Sequence, residues 1–275
     1  MKVGVIGLGI MGSAMAANLA KARFRVQGYD VLPRRGAVRS LSDIDAKIII
    51  TSLPSSKALL QISSELQGPA IVVETSTLPI EDKQEARENF SQSGITLLDC
   101  PLSGTGAQAK TKDLVVLASG DRKAFAKTMP VLKGISRSHY YLGEFGNGSR
   151  MKFVANLLVA IHNVSAAEAF ALGQKAGLDA KTIYKVIADG AGSSRMFQVR
   201  GPLMVAGKYE PATMKNEVWQ KDMRIIGDFA RRLGAATPLF SASAPLYDAA
   251  MAQGFAKADT AAVCAVLEAL SGVKR

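Results

Sequence analysis

The stretch Lys2–Asp30, KVGVIGLGIMGSAMAANLAKARFRVQGYD, constrains the rest of the chain more than any other. Val3, Val5 and Ile6 form a short apolar run of the kind a buried strand shows. Gly7, Gly9 and Gly12 follow at once, spaced G-x-G-x-x-G. Met11–Ala22 is rich in Ala, Met and Leu, which favour helix. Arg25–Tyr29 returns to extended character and Asp30 closes the unit, 18 residues after Gly12. Strand, glycine turn, helix, strand and acid make up the context in which three such glycines cradle a dinucleotide. Gly7 would allow the tight turn, Gly9 the approach of a pyrophosphate, and Gly12 close packing of helix on strand. The helix start offers free N–H groups and partial positive charge to phosphates. Leu8, Ile10 and Met11, between these glycines, are therefore expected to line a cofactor together with Leu53, Pro54 and Thr77 at later strand ends.

Asp30 bears on which dinucleotide is bound. A carboxylate there accepts hydrogen bonds from ribose hydroxyls and repels the 2′-phosphate of NADP. Arg34 and Arg35 lie close by and can hold a phosphate, or serve as a solvated basic loop. NAD is expected, with NADP possible.

The remaining first half alternates strand and helix signals. Lys47–Leu53, KIIITSL, is a continuous apolar run typical of a parallel strand buried on both faces. Ala70–Glu74, Ile95–Leu98, Leu114–Ala118 and Tyr140–Leu142 are further strands, and Ile80–Ser93 a charged surface helix. The pattern predicts a doubly wound α/β sheet of Rossmann type, mostly parallel, over residues 1–146. From Arg150 to Ala176 there is no proline, and apolar residues recur at helical spacing: Met151, Val154, Leu158, Ile161, Val164, Ala167, Phe170 and Leu172. Helices are then expected over Ala180–Ala188, Met214–Leu233, Leu239–Ala252 and Thr260–Leu270, the last capped by Asp259. Residues 147–275 read as an all-helical C-terminal domain, joined through the long helix.

With 275 residues, 48% of them hydrophobic, the chain can bury a sizeable core. No run of about 18 uninterrupted apolar residues predicts a membrane helix. No signal peptide is read at the N-terminus. Cys100 and Cys264 lie far apart, show no metal spacing and read as buried thiols, which fits a reducing cytoplasm. No metal site is expected. Net charge is +11, but the basic residues are dispersed and lack aromatic interleaving, so the charge reads as attraction for anionic cofactor and substrate rather than nucleic acid.

Three clusters outside the glycine turn can carry chemistry. Asp99–Gly106, DCPLSGTG, follows a strand, and carboxyl ends of such strands face the ligand crevice. Its amides and hydroxyls suit a carboxylate, although an ordinary turn has the same composition. Lys152 and Asn156 stand four apart on one helix face, near Met151, Ala155 and Leu158. A lysine among apolar neighbours can exchange protons near neutral pH; a helix lysine is also commonly a solvated charge. Lys221–Asp222 is the third, although taken alone it reads as a surface charge pair. His139 and His162 read as structural.

At this point the sequence resembles the 3-hydroxyisobutyrate dehydrogenase, or β-hydroxyacid dehydrogenase, family over nearly its whole length. GLGIMGSAMAANLA looks like its cofactor signature; ETST (Glu74–Thr77) and DCPLSG (Asp99–Gly104) match its next blocks. GNGSRMKFVANLL (Gly146–Leu158) is similar to its catalytic block, AEAFALGQKAGLD (Ala167–Asp179) continues it, and KDMRIIGDFA (Lys221–Ala230) looks like its Lys-Asp block. The resemblance implies Lys152 as general acid/base, Ser103 and Gly104 as substrate carboxylate anchor with Thr105 beside them, and Asn156 as orienter of substrate. It also implies that Lys221 reaches cofactor and substrate in a closed cleft. The implied substrate is a small 3-hydroxy acid or its semialdehyde, with a sugar acid such as threonate or tartronate semialdehyde as the alternative. The implied assembly is a homodimer or homotetramer. A non-catalytic nucleotide-binding relative would be expected to lack Lys152, and imine-reducing relatives usually replace it. The chain departs from the family's pattern at Thr105, where glycine is usual, in the following GAQAKTKD, at Ala155, where Asn is common, and in a shortened segment between Asp30 and Lys47.

Overall fold

Five parallel strands open the chain: β1 (Lys2–Ile6), β2 (Arg25–Tyr29), β3 (Ile48–Thr51), β4 (Ile71–Glu74) and β5 (Thr96–Asp99). In this computed structural model, which describes residues 1–34 and 36–274, they lie in the order β2-β1-β3-β4-β5. The continuous apolar runs follow from burial on both faces, because successive side chains point to opposite sides. Ile48, Ile50, Val73 and Leu98 join one core with Met15 and Leu19 of α1 (Ile10–Lys21). Ile49, Val72 and Leu97 join the other with Leu59 of α2 (Ser56–Glu65) and Phe90 of α3 (Ile80–Gln92). Between β2 and β3 the described residues hold one 3-10 turn, Leu41–Asp43, in place of a crossover helix.

The expected doubly wound parallel sheet is present in β1–β5, but the last two expected strands do not extend it. The strands after β5 form a second, three-stranded sheet of β6 (Leu102–Ser103), β7 (Val115–Ala118) and β8 (Ser138–Tyr141), with β6 antiparallel to β7 and β8 parallel to it. Pro101 cannot donate to a ladder, so the chain leaves the first sheet after Cys100. An isolated bridge links the sheets at Asp99 and Ser119, each amide donating to the other's carbonyl at 3.0 and 2.8 Å, and Leu102, Val116 and Ala118 share a core with Ile50, Val73 and Leu98. The helices α4 (Gly106–Lys110) and α5 (Arg122–Ile135) complete this part.

The chain divides into two compact units, Met1–Lys152 and Phe153–Arg275. The helix α6 (Asn147–Lys175) starts in the first and supplies the first helix of the second. It is followed by α7 (Ala180–Asp189), α8 (Arg195–Ala206), α9 (Asn216–Arg232), α10 (Pro238–Ala252) and α11 (Val263–Leu270). Trp219, Tyr247, Phe153 and Phe170 are the large side chains of this second core. Asp259 does more than cap the 3-10 turn Thr260–Ala262: its carboxylate also accepts from Arg200 Nε and from the amide and hydroxyl of Thr213. By length and composition α6 could cross a membrane. Its buried polar side chains have protein partners, however: Asn163 Nδ2 donates to the Thr260 carbonyl at 2.8 Å, and Asn156 to Asp222. That is how the core helix of a folded domain behaves.

The expected apolar face of α6 is corrected over its first turns. Met151, Val154 and Leu158 are exposed, as is Leu172, whereas Phe153, Ala160, Val164, Ala167 and Phe170 are buried. The stripe read from the sequence followed hydrophobicity, but the helix turns Lys152 and Asn156 inward instead, at 8% and 4% exposure.

Candidate functional site

The glycine turn has the shape its spacing predicts. Gly7 holds φ +87°, and a Cβ there would stand 2.2 Å from the Ser52 carbonyl oxygen. At Gly12 a Cβ would fall 1.8 Å from the Gly7 carbonyl oxygen, so helix α1 packs directly on the turn. Gly9 differs: a Cβ there would meet nothing within 4 Å. Among the described residues the space immediately over Gly9 is open. The α1 N-terminus beneath it has no side-chain cap and no acid in its first turn. Uncapped amides, a positive helix end and an open approach fit a pyrophosphate. Leu8 and Met11 are partly buried and Ile10 is exposed at the rim.

Asp30 is tied into the same turn. One carboxylate oxygen accepts the Leu8 amide at 2.7 Å and the other the Leu32 amide at 2.9 Å. Each oxygen keeps a lone pair, so the ribose-binding expectation fits, with a bracing role that the sequence did not suggest. Arg35 lies outside the described residues. At the end of β3 the Leu53 amide donates to Ser76 Oγ at 2.8 Å, which sets Leu53 and Pro54 beside the loop carrying Thr77.

The segment Ser103–Gly106 is held against the glycine turn. Gly106 lies so close that a Cβ would stand 2.5 Å from Ile10 Cγ2, and Asn18 Nδ2 of α1 donates to the Ala109 carbonyl of α4 at 2.7 Å. Gly104, at φ +135°, leaves no room for a side chain because of Leu114. Among the described residues the Ser103 hydroxyl has no hydrogen-bond partner. Thr105 is different. Its amide donates to Gln108 Oε1 at 2.9 Å, and Gln108 Nε2 donates to Asp113. Of the three residues expected to bind substrate, the two anchors Ser103 and Gly104 remain available, while the Thr105 amide is occupied within its own loop.

Lys152 ends the first unit on the opening turns of α6. That start is fixed by Asp99, whose Oδ2 accepts the Ser149 amide and whose Oδ1 accepts the Ser149 hydroxyl, both at 2.8 Å. Behind Asp99 stands Lys83, 1% exposed, donating to Asp99 Oδ1 at 2.8 Å and to the Ser76 carbonyl at 2.7 Å, and paired with Glu74 Oε2 at 2.6 Å. Burial alone would drive the Lys83 amine towards neutrality, but the charges of Asp99 and Glu74 hold its proton well above the ordinary lysine range. Cys100, next to this network, is a buried free thiol; burial, and then the Asp99 charge, push its pKa up.

In the second unit Asn156 Nδ2 donates to Asp222 Oδ2 at 2.9 Å, and Lys221 Nζ pairs with Asp222 Oδ1 at 3.3 Å. Asp222 is buried and bridges two residues expected at the site. In the sequence alone it reads as half of a surface charge pair. The signal that could have found it is the apolar character of α9 on the Trp219–Met223–Ile226 side, where Asp222 also falls.

Residues 2–143 match the family model described as the NAD binding domain of 6-phosphogluconate dehydrogenase, and residues 146–267 the one described as NAD-binding of NADP-dependent 3-hydroxyisobutyrate dehydrogenase. The L-threonate dehydrogenase of Pectobacterium atrosepticum is 30% identical, covering 98% of this chain and 95% of that one. The chloroplastic glyoxylate/succinic semialdehyde reductase 2 of Arabidopsis thaliana is 30% identical over 98% of this chain and 80% of its own. A crystal structure of 3-hydroxyisobutyrate dehydrogenase from Salmonella typhimurium superposes with TM-score 0.87 at 27% identity, covering 97% of this chain and 99% of that one. The chain belongs to the 3-hydroxyisobutyrate dehydrogenase family of β-hydroxyacid dehydrogenases.

Proposed function

We propose that this protein is an NAD-dependent dehydrogenase that interconverts a small 3-hydroxy acid and its semialdehyde or keto form, with Lys152 as general acid/base. The observation that carries the reading is the inward, 8%-exposed Lys152 on a helix start clamped in the same unit as a dinucleotide-shaped glycine turn. Gly7–Gly12 and Asp30 would hold the dinucleotide, with Leu53, Pro54 and Thr77 lining it; bound there, it supplies a hydride acceptor. Ser103 and the Gly104 amide hold the substrate carboxylate. Lys152, as neutral amine, takes the hydroxyl proton during oxidation and returns it during reduction. Asn156 orients the substrate, its amide fixed in turn by Asp222. Lys221, 30% exposed beside Asp222, adds positive charge for an anionic ligand.

A longer sugar acid such as threonate is the second reading. It is favoured by the L-threonate dehydrogenase likeness over nearly the full length. Initial rates with NAD and NADP across a panel of 3-hydroxy acids and sugar acids decide between the two.

Replacing Ser103 by Ala is expected to raise KM for the acid about 10-fold or more, since a hydrogen bond to a charged group is worth about 1.5–3 kcal/mol. Substrates with the acid converted to an amide are expected to fail; equal turnover of acid and amide would give the loop another purpose.

The ratio of kcat/KM for NAD over NADP is expected to exceed about 10, or 1.4 kcal/mol, and to narrow in Asp30→Ala. The ratio is the informative readout, because Asp30 also braces the Leu8 amide and its loss weakens both cofactors. A wild-type preference for NADP of that size would overturn the assignment and point to Arg34.

A further inference from the structure

Two carboxylates of the first unit face each other from neighbouring strands. Glu74 ends β4, Asp99 ends β5, and the parallel register pairs them directly, both fully buried. Like charges so placed repel, and burial makes each costly. Lys83 resolves the conflict from α3. Its ammonium donates to Asp99 Oδ1 and the Ser76 carbonyl and forms an ion pair with Glu74 Oε2. The consequences extend beyond neutralisation, because each partner leads to a part of the proposed site.

Ser76 Oγ accepts the Leu53 amide, which fixes the cofactor-side loop after β3. Asp99 grips the first turn of α6 through the Ser149 amide and hydroxyl, and Ser119 Oγ, itself donating to Asp99 at 3.2 Å, accepts the Gly148 amide at 2.9 Å. Gly148 permits this approach, since a Cβ there would stand 2.3 Å from the Leu117 carbonyl oxygen. A negative charge at a helix N-terminus is favourable in its own right. Lys152 follows Ser149 by three residues, on the same side of the helix. A shift of the clamp therefore carries the amine with it.

We propose that Lys83 and Asp99 are positioning residues for the reaction: one buried ion cluster registers the Lys152 helix against the cofactor-side strand ends. They touch neither substrate nor cofactor. Among the described residues no side-chain hydrogen bond joins the cluster to Ser103 or Gly104, so loosening the Ser149 clamp acts on the chemical step more than on acid binding. The inference rests on the assignment of Lys152 as acid/base, and the test keeps the two apart.

The test compares Ser149→Ala, Lys83→Met, their double variant and Lys152→Met in the full-length protein, by steady-state kinetics, NAD titration and Tm. Ser149→Ala removes one hydroxyl from the clamp with little change in volume. Misplacement of about 1 Å can cost 10²-fold, so a partly loosened clamp is expected to lower kcat about 10-fold, with KM for the acid and Kd for NAD within about twofold. The double variant is expected to be no slower than about Lys83→Met alone, because groups acting through one carboxylate are not additive. Should Lys83→Met fail to fold, Ser149→Ala decides by itself. If Ser149→Ala keeps kcat within about twofold of wild type while Lys152→Met is inactive, the cluster is only structural and the positioning role is wrong. An active Lys152→Met would overturn the acid/base assignment and this inference with it.

Discussion

Substituting Lys152 by Ala or Met is expected to lower kcat by about 10² to 10⁴-fold, the usual contribution of a positioned proton transfer. NAD affinity is expected to change little, because the glycine turn and Asp30 would hold the dinucleotide through groups on β1, α1 and β2. Lys152→Arg is expected to fail as well: a guanidinium stays protonated and cannot take the hydroxyl proton. The sign of the pH dependence follows from the same chemistry. Oxidation needs the neutral amine, so its rate rises with pH as the ammonium gives up its proton. Reduction needs the ammonium, so its rate falls over the same range. These opposed limbs should vanish from the residual activity of Lys152→Met. Retention of more than about a tenth of wild-type kcat by Lys152→Ala on every substrate tried would make it an inward-turned lysine without chemistry.

The parts of this molecule that were legible in its sequence are those whose physics is local. Lys2–Asp30 could be read almost residue by residue, because a strand, three glycines and a helix determine one another over a short span. Ile48–Thr51 and Ile71–Glu74 were legible because burial on both faces makes the run continuously apolar. The second sheet was not. Its β6 is two residues long, and its separation from the first sheet depends on Pro101 and on a long-range bridge between Asp99 and Ser119. Helices α5 and α8 each enclose a proline, Pro130 and Pro202, which weakens the sequence signal although both helices form.

The site divides in the same way. Lys152 and Asn156 stand out in the sequence, but for a reason that does not hold: their supposed apolar neighbours Met151 and Leu158 are exposed. Residues that act through others were missed. Lys83 sits in the charged run IEDKQEARE, where it reads as one solvated charge among many. A signal was nevertheless present, since ETST and DCPLSG each put an acid at the end of a buried strand. Two ionised carboxylates on adjacent buried strand ends favour a buried cation between them, and only the register reveals that they are adjacent. Gln108 likewise follows from the loop geometry rather than from composition, because it is the Thr105 amide that needs an acceptor.

The three glycines of the turn are expected to respond differently to the same substitution, which tests the cofactor site separately from the fold. Gly9→Ala adds a methyl at φ −66°, an ordinary conformation, into space that the protein does not fill. Stability should be unchanged or up to about 1 kcal/mol higher, because alanine restricts the unfolded chain. NAD binding should nevertheless weaken by about 100-fold, some 2.7 kcal/mol, as the methyl takes the place where the pyrophosphate approaches the α1 amides. Gly12→Ala is the converse. Its Cβ would fall 1.8 Å from the Gly7 carbonyl oxygen, so the turn and α1 must separate before the chain can fold. Overpacking of this kind typically costs about 1–3 kcal/mol or more, and both Tm and NAD binding should fall. Calorimetry and NAD titration on the two variants give four values, and the contrast between them carries the inference. If Gly9→Ala binds NAD as tightly as wild type at unchanged Tm, the pyrophosphate does not lie over Gly9, and the turn is built for packing alone.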